Sequence, residues 1–207
     1  MAHDRTLLGV LAKHWTPGAV KTRLAAGIGD RQAANVYLDM LQTTLARFAA
    51  LSDQGVVAFT PQDRHREFAQ LVNGHWTLES QCDGDLGQRL AACFSRAFEN
   101  GFDRVVMVGA DTPTLPSEFI SGAFRILLRR SAVFGPSADG GYYLVGAARR
   151  VPPVFRDIPW GTSEVWAATK KRMEQAGLSW GELPAWWDVD DERDYRRLLA
   201  EGYRISS

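Results

Sequence analysis

A short stretch near the start of the chain concentrates positive charge around a Pro-Gly turn. Its basic side chains are Lys13, His14, Lys21 and Arg23. No carboxylate lies between Asp4 and Asp30, so nothing in this stretch neutralises them locally. Cations and backbone N–H groups in a loop that leads toward a helix N-terminus suit the binding of phosphate. The alternative is an ordinary solvated loop, because Lys and Arg side chains are usually exposed.

The stretch matches neither of two common phosphate-binding loops. A Walker A loop places Gly directly before Lys-Ser/Thr, whereas Val20 precedes Lys21 here. The dinucleotide-binding pattern GxGxxG begins at Gly27 but fails at Gln32. A phosphate site is therefore predicted from charge and position rather than from either motif.

Carboxylates that could hold a metal ion lie in two later segments. Asp111 follows the apolar run 104–110, where a carboxylate can ligate Mg²⁺ or Mn²⁺ bound to substrate phosphates. The alternative is that it only turns the chain ahead of the next proline. Asp188 and Asp190 occupy alternate positions, so they face the same way in extended backbone. Asp190 or Asp191 could instead cap the helix that follows.

A glycine pair at Gly140 and Gly141 separates two apolar runs. Such a pair permits either a tight turn or the close approach of backbone to a ligand. The neighbouring Tyr142 and Tyr143 favour the second interpretation.

These candidates need a scaffold, and the hydrophobic pattern indicates one. The predicted strands are 6–12, 55–60, 75–80, 104–110, a hairpin-like pair at 131–136 and 141–147, and a strand-like run at 178–183. The predicted helices are 33–51, 65–72, 86–99, 117–129, 162–177 and 191–201. Asp30 is a candidate cap for the first helix, and Thr162 and Gly177 for the two ends of the fifth. The alternation predicts an α/β fold with a mostly parallel central sheet, whose ligands bind outside the carboxyl ends of the strands.

Composition limits the function classes. The chain has 207 residues, 24 cations, 24 anions and a pI near 6.9, which predicts one domain over 1–207 and no broad surface for nucleic acid or anionic membrane. No apolar run approaches the roughly 20 residues of a membrane span and no signal segment is recognised, so we expect a cytoplasmic protein. Cys82 and Cys93 fit neither a metal motif nor a disulfide framework and are expected to be reduced structural thiols.

Six ordered segments together resemble a known family. They are LAKHWTPGAVKTRL, QCDGDLGQRL, VGADTPTLP, GPSADGGYYLVG, IPWGTSEV and DVDDERDY. Their order is similar to that in the DUF2064 family of bacterial glycosyltransferase-like proteins, some of which are described as arsenosugar-biosynthesis glycosyltransferases. The resemblance implies a nucleotide-diphospho-sugar transferase (GT-A) fold, a three-layer α/β/α sandwich. The family is also similar to the guanylyltransferases of cofactor synthesis.

The resemblance implies a role for each candidate. The residues that would bind the nucleotide and its phosphates are Lys13, Lys21, Arg23, Asp83, Asp85, Gly87 and Arg89. The residues that would bind the transferred group and the acceptor are Gly140, Gly141, Tyr142 and Trp160, although core packing is an alternative role for Trp160. Asp111 and Asp190 would hold Mg²⁺ or Mn²⁺ and take part in catalysis, and Asp139 would act as an acceptor-side base. Asp188 remains an alternative to Asp190.

Three functions fit this set of residues. The first is a metal-dependent glycosyltransferase that uses a nucleotide-sugar donor and a small-molecule acceptor. The second is a nucleotidyltransferase that joins a nucleoside triphosphate to a phosphorylated small molecule. In both reactions negative charge develops on phosphate, where a metal, Lys and Arg stabilise it. The third is a noncatalytic nucleotide-binding protein, because fold does not imply function.

Overall fold

The computed structural model describes residues 4–150 and 154–205, and one central sheet runs through these ranges. Its strands are β1 (Thr6–Lys13), β2 (Gln54–Thr60), β3 (Trp76–Ser80), β4 (Arg104–Gly109), β5 (Ala132–Pro136), β6 (Tyr142–Ala148) and β7 (Trp180–Glu182). Their order is β3-β2-β1-β4-β6-β5-β7, and of these strands β6 alone is antiparallel to its neighbours. The prediction of a mostly parallel sheet, with a hairpin-like pair at β5 and β6, is confirmed.

Helices cover both faces of the sheet. They are α1 (Thr22–Ile28), α2 (Asp30–Phe48), α3 (His65–Ala69), α4 (Leu86–Glu99), α5 (Ser117–Ile126), α6 (Val165–Gln175) and α7 (Glu192–Ala200). One apolar cluster packs the first face against α1, α2, α3, α5 and α7, and a second packs the other face against α4 and α6. This arrangement confirms the expected three-layer α/β/α sandwich.

The central strands are buried on both sides. In β4, Val106 and Val108 belong to the first cluster, while Val105 and Met107 belong to the second. Successive side chains of a strand point to opposite faces, so a strand between two helical layers is apolar at every position. This is why 104–110 gives the strongest strand pattern in the sequence.

Several predicted helix ends were wrong. The helix α2 begins at Asp30 after Gly29, whose φ of 88° is left-handed, and no side chain caps it. The prediction of an Asp30 cap is therefore wrong, and the carboxylate lies in the first turn instead. The hydroxyl of Thr162 accepts from the Glu164 N–H in a turn, and α6 begins only at Val165, so it is not the predicted cap.

Other helix boundaries differ by a turn or less. The helices α3 and α5 end at Ala69 and Ile126, earlier than predicted. The short helix α1 was not predicted, because its seven residues are too few to establish a helical period. Gly177 follows the end of α6 in the left-handed region, with a φ of 61°, as expected for a helix C-terminus.

The start of α7 resolves the alternative for the acidic cluster. The Asp191 carboxylate accepts the N–H groups of Arg193 and Asp194 at 2.9 and 3.1 Å, so Asp191 is the cap. The carboxylate of its neighbour Asp190 makes ion pairs instead, with Lys21 and Arg23. Among the described helices, none is long and apolar enough to cross a membrane.

Candidate functional site

The carboxyl ends of β1 and β4 meet the segment before α7 at a cluster of opposite charges. The Lys21 ammonium lies 2.7 Å from Asp111 Oδ2 and 2.8 Å from Asp190 Oδ1. Arg23 approaches the other oxygen of Asp190 at 3.1 Å. The structure therefore brings Lys21, a predicted phosphate-binding residue, into direct contact with both predicted metal-binding residues.

Lys21 is held in an unusual way for a lysine. It precedes α1 with φ 47° and ψ 48°, the left-handed region that non-glycine residues rarely adopt, and its side chain is only 9% exposed. Burial alone would lower the pKa of Lys21, but the adjacent Asp111 and Asp190 carboxylates outweigh it, so the pKa is raised above its ordinary value. The two carboxylates therefore favour the charged form of this buried side chain.

Backbone contacts fix the separation of the two aspartate segments. The Val189 N–H donates to the Asp111 carbonyl oxygen at 3.0 Å. The loop after Asp111 is held from α2, where the Arg47 guanidinium donates to the carbonyls of Pro113 and Leu115. The loop that carries Asp111 is thus anchored on two sides.

Three carboxylates converge at this point. One oxygen each from Asp111, Asp188 and Asp190 lies within 4.8 Å of the others. Burial, reinforced by the negative charges of Asp111 and Asp190, raises the pKa of Asp188 to about 7. Oxygen donors of this kind are the ligands that Mg²⁺ and Mn²⁺ prefer, so the donor set fits a divalent cation.

A cavity of about 370 Å³ opens beside the charged cluster. Besides Lys21, Asp111 and Asp190, its lining includes Lys13, Arg23 and Arg89. Arg23 is at the rim, with 68% of its side chain exposed. Four of the predicted phosphate and nucleotide residues therefore share one cavity with the two aspartates.

A second cavity of about 270 Å³ shares Asp111, Leu11 and Tyr37 with the first. Its lining also includes Asp188 and Tyr142, together with apolar side chains from α4 and β4. The two cavities therefore both border Asp111.

Other predicted nucleotide residues have structural partners. Asp85 caps α4 by accepting the Gln88 N–H at 2.8 Å. Gly87 is packed so closely that a Cβ would collide with the Phe155 carbonyl and the Trp160 indole. Asp83 lies exposed in the loop before α4. Neither Asp85 nor Gly87 lines the first cavity, so their predicted roles there stay predictions.

The glycine pair lies in the turn between β5 and β6. Asp139 accepts the Ser137 hydroxyl and the Gly141 N–H, the second at 3.0 Å. Gly140 has a φ of 91°, and a Cβ there would collide with the Ser163 backbone. Close approach of backbone to protein, rather than to a ligand, therefore explains the first glycine of the pair.

The aromatic residues beside this turn pack on one another. Tyr142 has its ring centroid 6.1 Å from that of Trp160, in an edge-to-face arrangement. Trp160 also packs against the second apolar cluster, which supports the core-packing alternative for this residue. Tyr142 lines the second cavity as well, so it can serve both packing and binding.

His14 does not belong to the positive cluster that the sequence indicated. It is 8% exposed, and its ring stacks on Trp15 with centroids 4.4 Å apart. Burial and the Arg64 charge lower the pKa of His14, which favours the neutral imidazole. The positive charge of the stretch comes from its Lys and Arg residues instead.

Sequence reasoning missed several residues that line the first cavity, Tyr37 and Gln81 among them. The Tyr37 hydroxyl accepts the Lys13 N–H at 2.9 Å, and Gln81 donates to the carbonyls of Ala12 and Ala58 at 3.2 and 2.6 Å. Gln81 directly follows β3, so its position after a strand was a usable signal. For Tyr37 the sequence contains no signal of a role in the site beyond its place in an amphipathic helix.

The cysteines are both free. Cys93 is buried in the second apolar cluster, and burial raises the pKa of its thiol to about 11. Cys82 is half-buried in the loop before α4. These positions agree with the expected structural thiols.

Comparison with known proteins finds a family model that matches part of the chain. The model of a family described as an uncharacterized protein conserved in bacteria, DUF2064, matches residues 44–162. That range includes Asp111 and Gly140 but not Lys21 or Asp190. None of the curated proteins compared with the chain matches it.

One solved structure is similar over nearly the whole chain. It comes from Desulfovibrio desulfuricans G20, is provisionally described as a nucleotide-diphospho-sugar transferase, and has a TM-score of 0.90 at 33% identity. The match covers 99% of this chain and 92% of that one, so it includes the positions of both Lys21 and Asp190.

Two more distant structures share the fold. A 4-diphosphocytidyl-2C-methyl-D-erythritol synthase from Anaerococcus prevotii DSM 20548 has a TM-score of 0.64 at 10% identity, with 96% of this chain and 99% of that chain covered. The manganese complex of Rv0371C from Mycobacterium tuberculosis H37Rv has a TM-score of 0.53 at 20% identity, with 96% and 100% covered.

Proposed function

The chain belongs to the DUF2064 family, and on that premise we propose that it transfers a sugar from a nucleoside-diphosphate donor to a small-molecule acceptor. The similar structure from Desulfovibrio desulfuricans G20, at 33% identity, supports the expected class of enzyme, a transferase. The proposal assigns the reaction to one domain over 1–207, because Lys13 of β1, Asp111 after β4 and Asp190 before α7 all line the first cavity.

The observation that carries the proposal is the meeting of Lys21 with Asp111 and Asp190 inside a cationic cavity. Lys13, Arg23 and Arg89 line the same cavity, so a diphosphate bound there would be neutralised from several sides. The leaving nucleoside diphosphate gains negative charge as the sugar bond breaks. Cations that line the cavity would stabilise that charge where it develops.

The oxygen donors support a divalent cation as cofactor. Asp111 and Asp190 would hold Mg²⁺ or Mn²⁺, with Asp188 as a further ligand within the same 4.8 Å cluster. The ion would supply Lewis-acid stabilisation of the leaving phosphate. Two carboxylates suffice, since Mg²⁺ usually keeps water and substrate phosphate in the rest of its shell.

The two cavities suggest how donor and acceptor are arranged. The first is lined by cations and suits the nucleotide phosphates, while the second is lined by Tyr142, Asp188 and apolar side chains. We assign the transferred group and the acceptor to the second cavity, because it shares Asp111 with the first. Asp139 lies in the turn before Tyr142 and remains the candidate acceptor-side base.

Nucleotidyl transfer is the second candidate. The four cations that line the first cavity, Lys13, Lys21, Arg23 and Arg89, would also neutralise a nucleoside triphosphate. In that reaction a phosphorylated acceptor would attack and pyrophosphate would leave. The noncatalytic alternative has no particular feature of the site in its favour.

Product analysis separates these functions. Nucleotide sugars with Mn²⁺ should release nucleoside diphosphate slowly even without acceptor if the protein is a glycosyltransferase. Nucleoside triphosphates with a sugar phosphate should release pyrophosphate if it is a nucleotidyltransferase. A panel of bases and sugars, separated by anion-exchange chromatography, identifies the class. If neither product forms with any acceptor supplied, the noncatalytic alternative gains support.

A further inference from the structure

The place between Asp111 and Asp190 is already taken by a cation. Lys21 Nζ lies 2.7 Å from an oxygen of the first aspartate and 2.8 Å from an oxygen of the second. The other oxygen of Asp190 is engaged by Arg23 at 3.1 Å. A metal ion that bridges the two inward-facing oxygens would therefore have to take the place of the ammonium group.

The two cations around Asp190 differ in how firmly they are placed. The Lys21 side chain is 9% exposed and contacts both aspartates, whereas Arg23 is 68% exposed and contacts only the acidic segment before α7. An exposed ion pair contributes little, so Arg23 is a weak competitor for a metal. Lys21 is the group that a metal must displace.

The surroundings allow Lys21 to move without losing all of its partners. Its side chain lines the first cavity, beside Lys13 and Arg89, where the donor phosphates are placed by the proposed function. The lysine stem is flexible, so the ammonium group can turn from the carboxylates toward a phosphate. Its left-handed backbone conformation is the kind of local strain found at sites that switch between states.

We propose that Lys21 is an internal substitute for the divalent cation, held between Asp111 and Asp190 until a metal ion takes its place. The ammonium neutralises the carboxylates in the metal-free protein. When the metal enters, the ammonium transfers its contact to the donor phosphate. This inference rests on the proposed metal-dependent function, and it predicts that metal and nucleotide bind cooperatively.

Binding of Mn²⁺ alone tests the inference without any turnover. Free Mn²⁺ is measured by electron paramagnetic resonance during titration of the metal-free protein. Lys21→Met should bind Mn²⁺ at least tenfold more tightly than the unchanged protein, because the competing cation is gone. The exposed Lys171 provides the matched control, and Lys171→Met should leave the affinity unchanged. Equal or weaker binding by a folded Lys21→Met variant would overturn the inference.

A second variant separates displacement from a general effect of charge. Arg23→Met also removes one positive charge next to Asp190, but it does not clear the place between the two aspartates. Its gain in Mn²⁺ affinity should be much smaller than that of Lys21→Met. Equal gains in the two variants would mean that the local charge alone controls Mn²⁺ affinity. The inference that Mn²⁺ displaces Lys21 would then be wrong.

The unchanged protein provides a measurement that does not depend on how a variant folds. The chain contains four lysines, so labelling lysine Cε with ¹³C gives four assignable signals. Titration with Mg²⁺ should shift the Lys21 signal in step with occupancy, while the Lys171 signal stays in place. If Mg²⁺ binds and the Lys21 signal does not move, the inference fails and the proposed function stands. If Mg²⁺ binds neither alone nor with pyrophosphate, both the inference and the proposed metal-dependent function are wrong.

Discussion

The Val189 N–H donates to the carbonyl oxygen of Asp111 at 3.0 Å, although the two residues lie in connecting segments far apart in the chain. This single bond ties the loop after β4 to the extended segment before α7. Because Asp188 and Asp190 flank Val189, both of their carboxylates are placed relative to Asp111. The position of the acidic cluster therefore depends on the stiffness of the loop that carries Asp111.

That dependence predicts the effect of removing the Arg47 guanidinium. Arg47→Met should lose the hydrogen bonds to the carbonyls of Pro113 and Leu115 and cost about 1–3 kcal/mol of stability. Turnover should fall as well, because the Asp111 loop is less firmly held. Urea unfolding and kcat measure the two effects. Arg31→Met, an exposed arginine at the other end of α2, is the control, and equal behaviour of both variants would contradict the prediction.

Nucleotide affinity should depend more on Lys21 than on Arg23. A hydrogen bond to a charged group contributes roughly 1.5–3 kcal/mol, so Lys21→Met should weaken binding of a nucleoside diphosphate by about 10- to 100-fold. Arg23 is 68% exposed, so Arg23→Met should cost less than tenfold. Calorimetric titration at saturating Mg²⁺ measures both, because the tighter metal binding expected of Lys21→Met then has no influence on the comparison. Unchanged affinity in both variants would contradict the assignment of phosphates to the first cavity.

Asp111 and Asp190 should act as one unit in turnover. Asp111→Asn and Asp190→Asn should each abolish metal-dependent activity, since the amide keeps the shape and loses the charge. The double variant should lose little more than the worse single variant, because residues that act together are strongly non-additive. Steady-state kinetics over a range of Mn²⁺ concentrations provides the measurement. Full activity in either single variant would make Asp188 the next candidate.

The same two aspartates should also determine stability through Lys21. Removing both carboxylates leaves the buried ammonium without the two ion-pair partners that contact it, and breaking a buried ion pair typically costs about 3–5 kcal/mol. Adding Lys21→Met to the Asp111→Asn, Asp190→Asn double variant should restore part of that loss. Urea unfolding of the double and triple variants tests this. A triple variant no more stable than the double would show that Lys21 gains water when its partners are removed.

Substitutions in the glycine pair should separate effects on protein stability from effects on ligand binding. Gly140→Ala should destabilise the protein by about 1–3 kcal/mol, because its φ is 91° and a Cβ would meet the Ser163 backbone. Gly161 has a φ of 80° with no atom near a Cβ, so Gly161→Ala measures the conformational strain alone and should cost less. Gly141→Ala should cost less than Gly140→Ala, because the atoms nearest to its Cβ would be side-chain oxygens of Ser137 and Asp139, at 3.2 and 3.3 Å, and not backbone atoms. A rise in KM for Gly141→Ala without any loss of stability would then report a disturbed binding site rather than a disturbed fold. Thermal unfolding and donor KM are the measurements.

The sequence alone determined the local elements and their alternation. The patterns that indicate a strand or a helix are contained in a short stretch of sequence. The strand over 104–110 and the helix over 86–99 could therefore be predicted from their own residues. Capping by Asp191 was also readable as one of two alternatives, because a helix cap acts over only three residues. The functional class followed from the order of several such segments.

Only the tertiary structure decided which of these residues meet. Lys21 lies 90 positions from Asp111 and 169 from Asp190, and no local pattern encodes an ion pair over that distance. The packing of the helical layers on the sheet determined that contact, as it also buried His14 and pressed Gly140 against Ser163. The sequence identifies which side chains are ionisable. Its partner, its exposure and hence its pKa depend on neighbours that the fold brings together from distant parts of the chain.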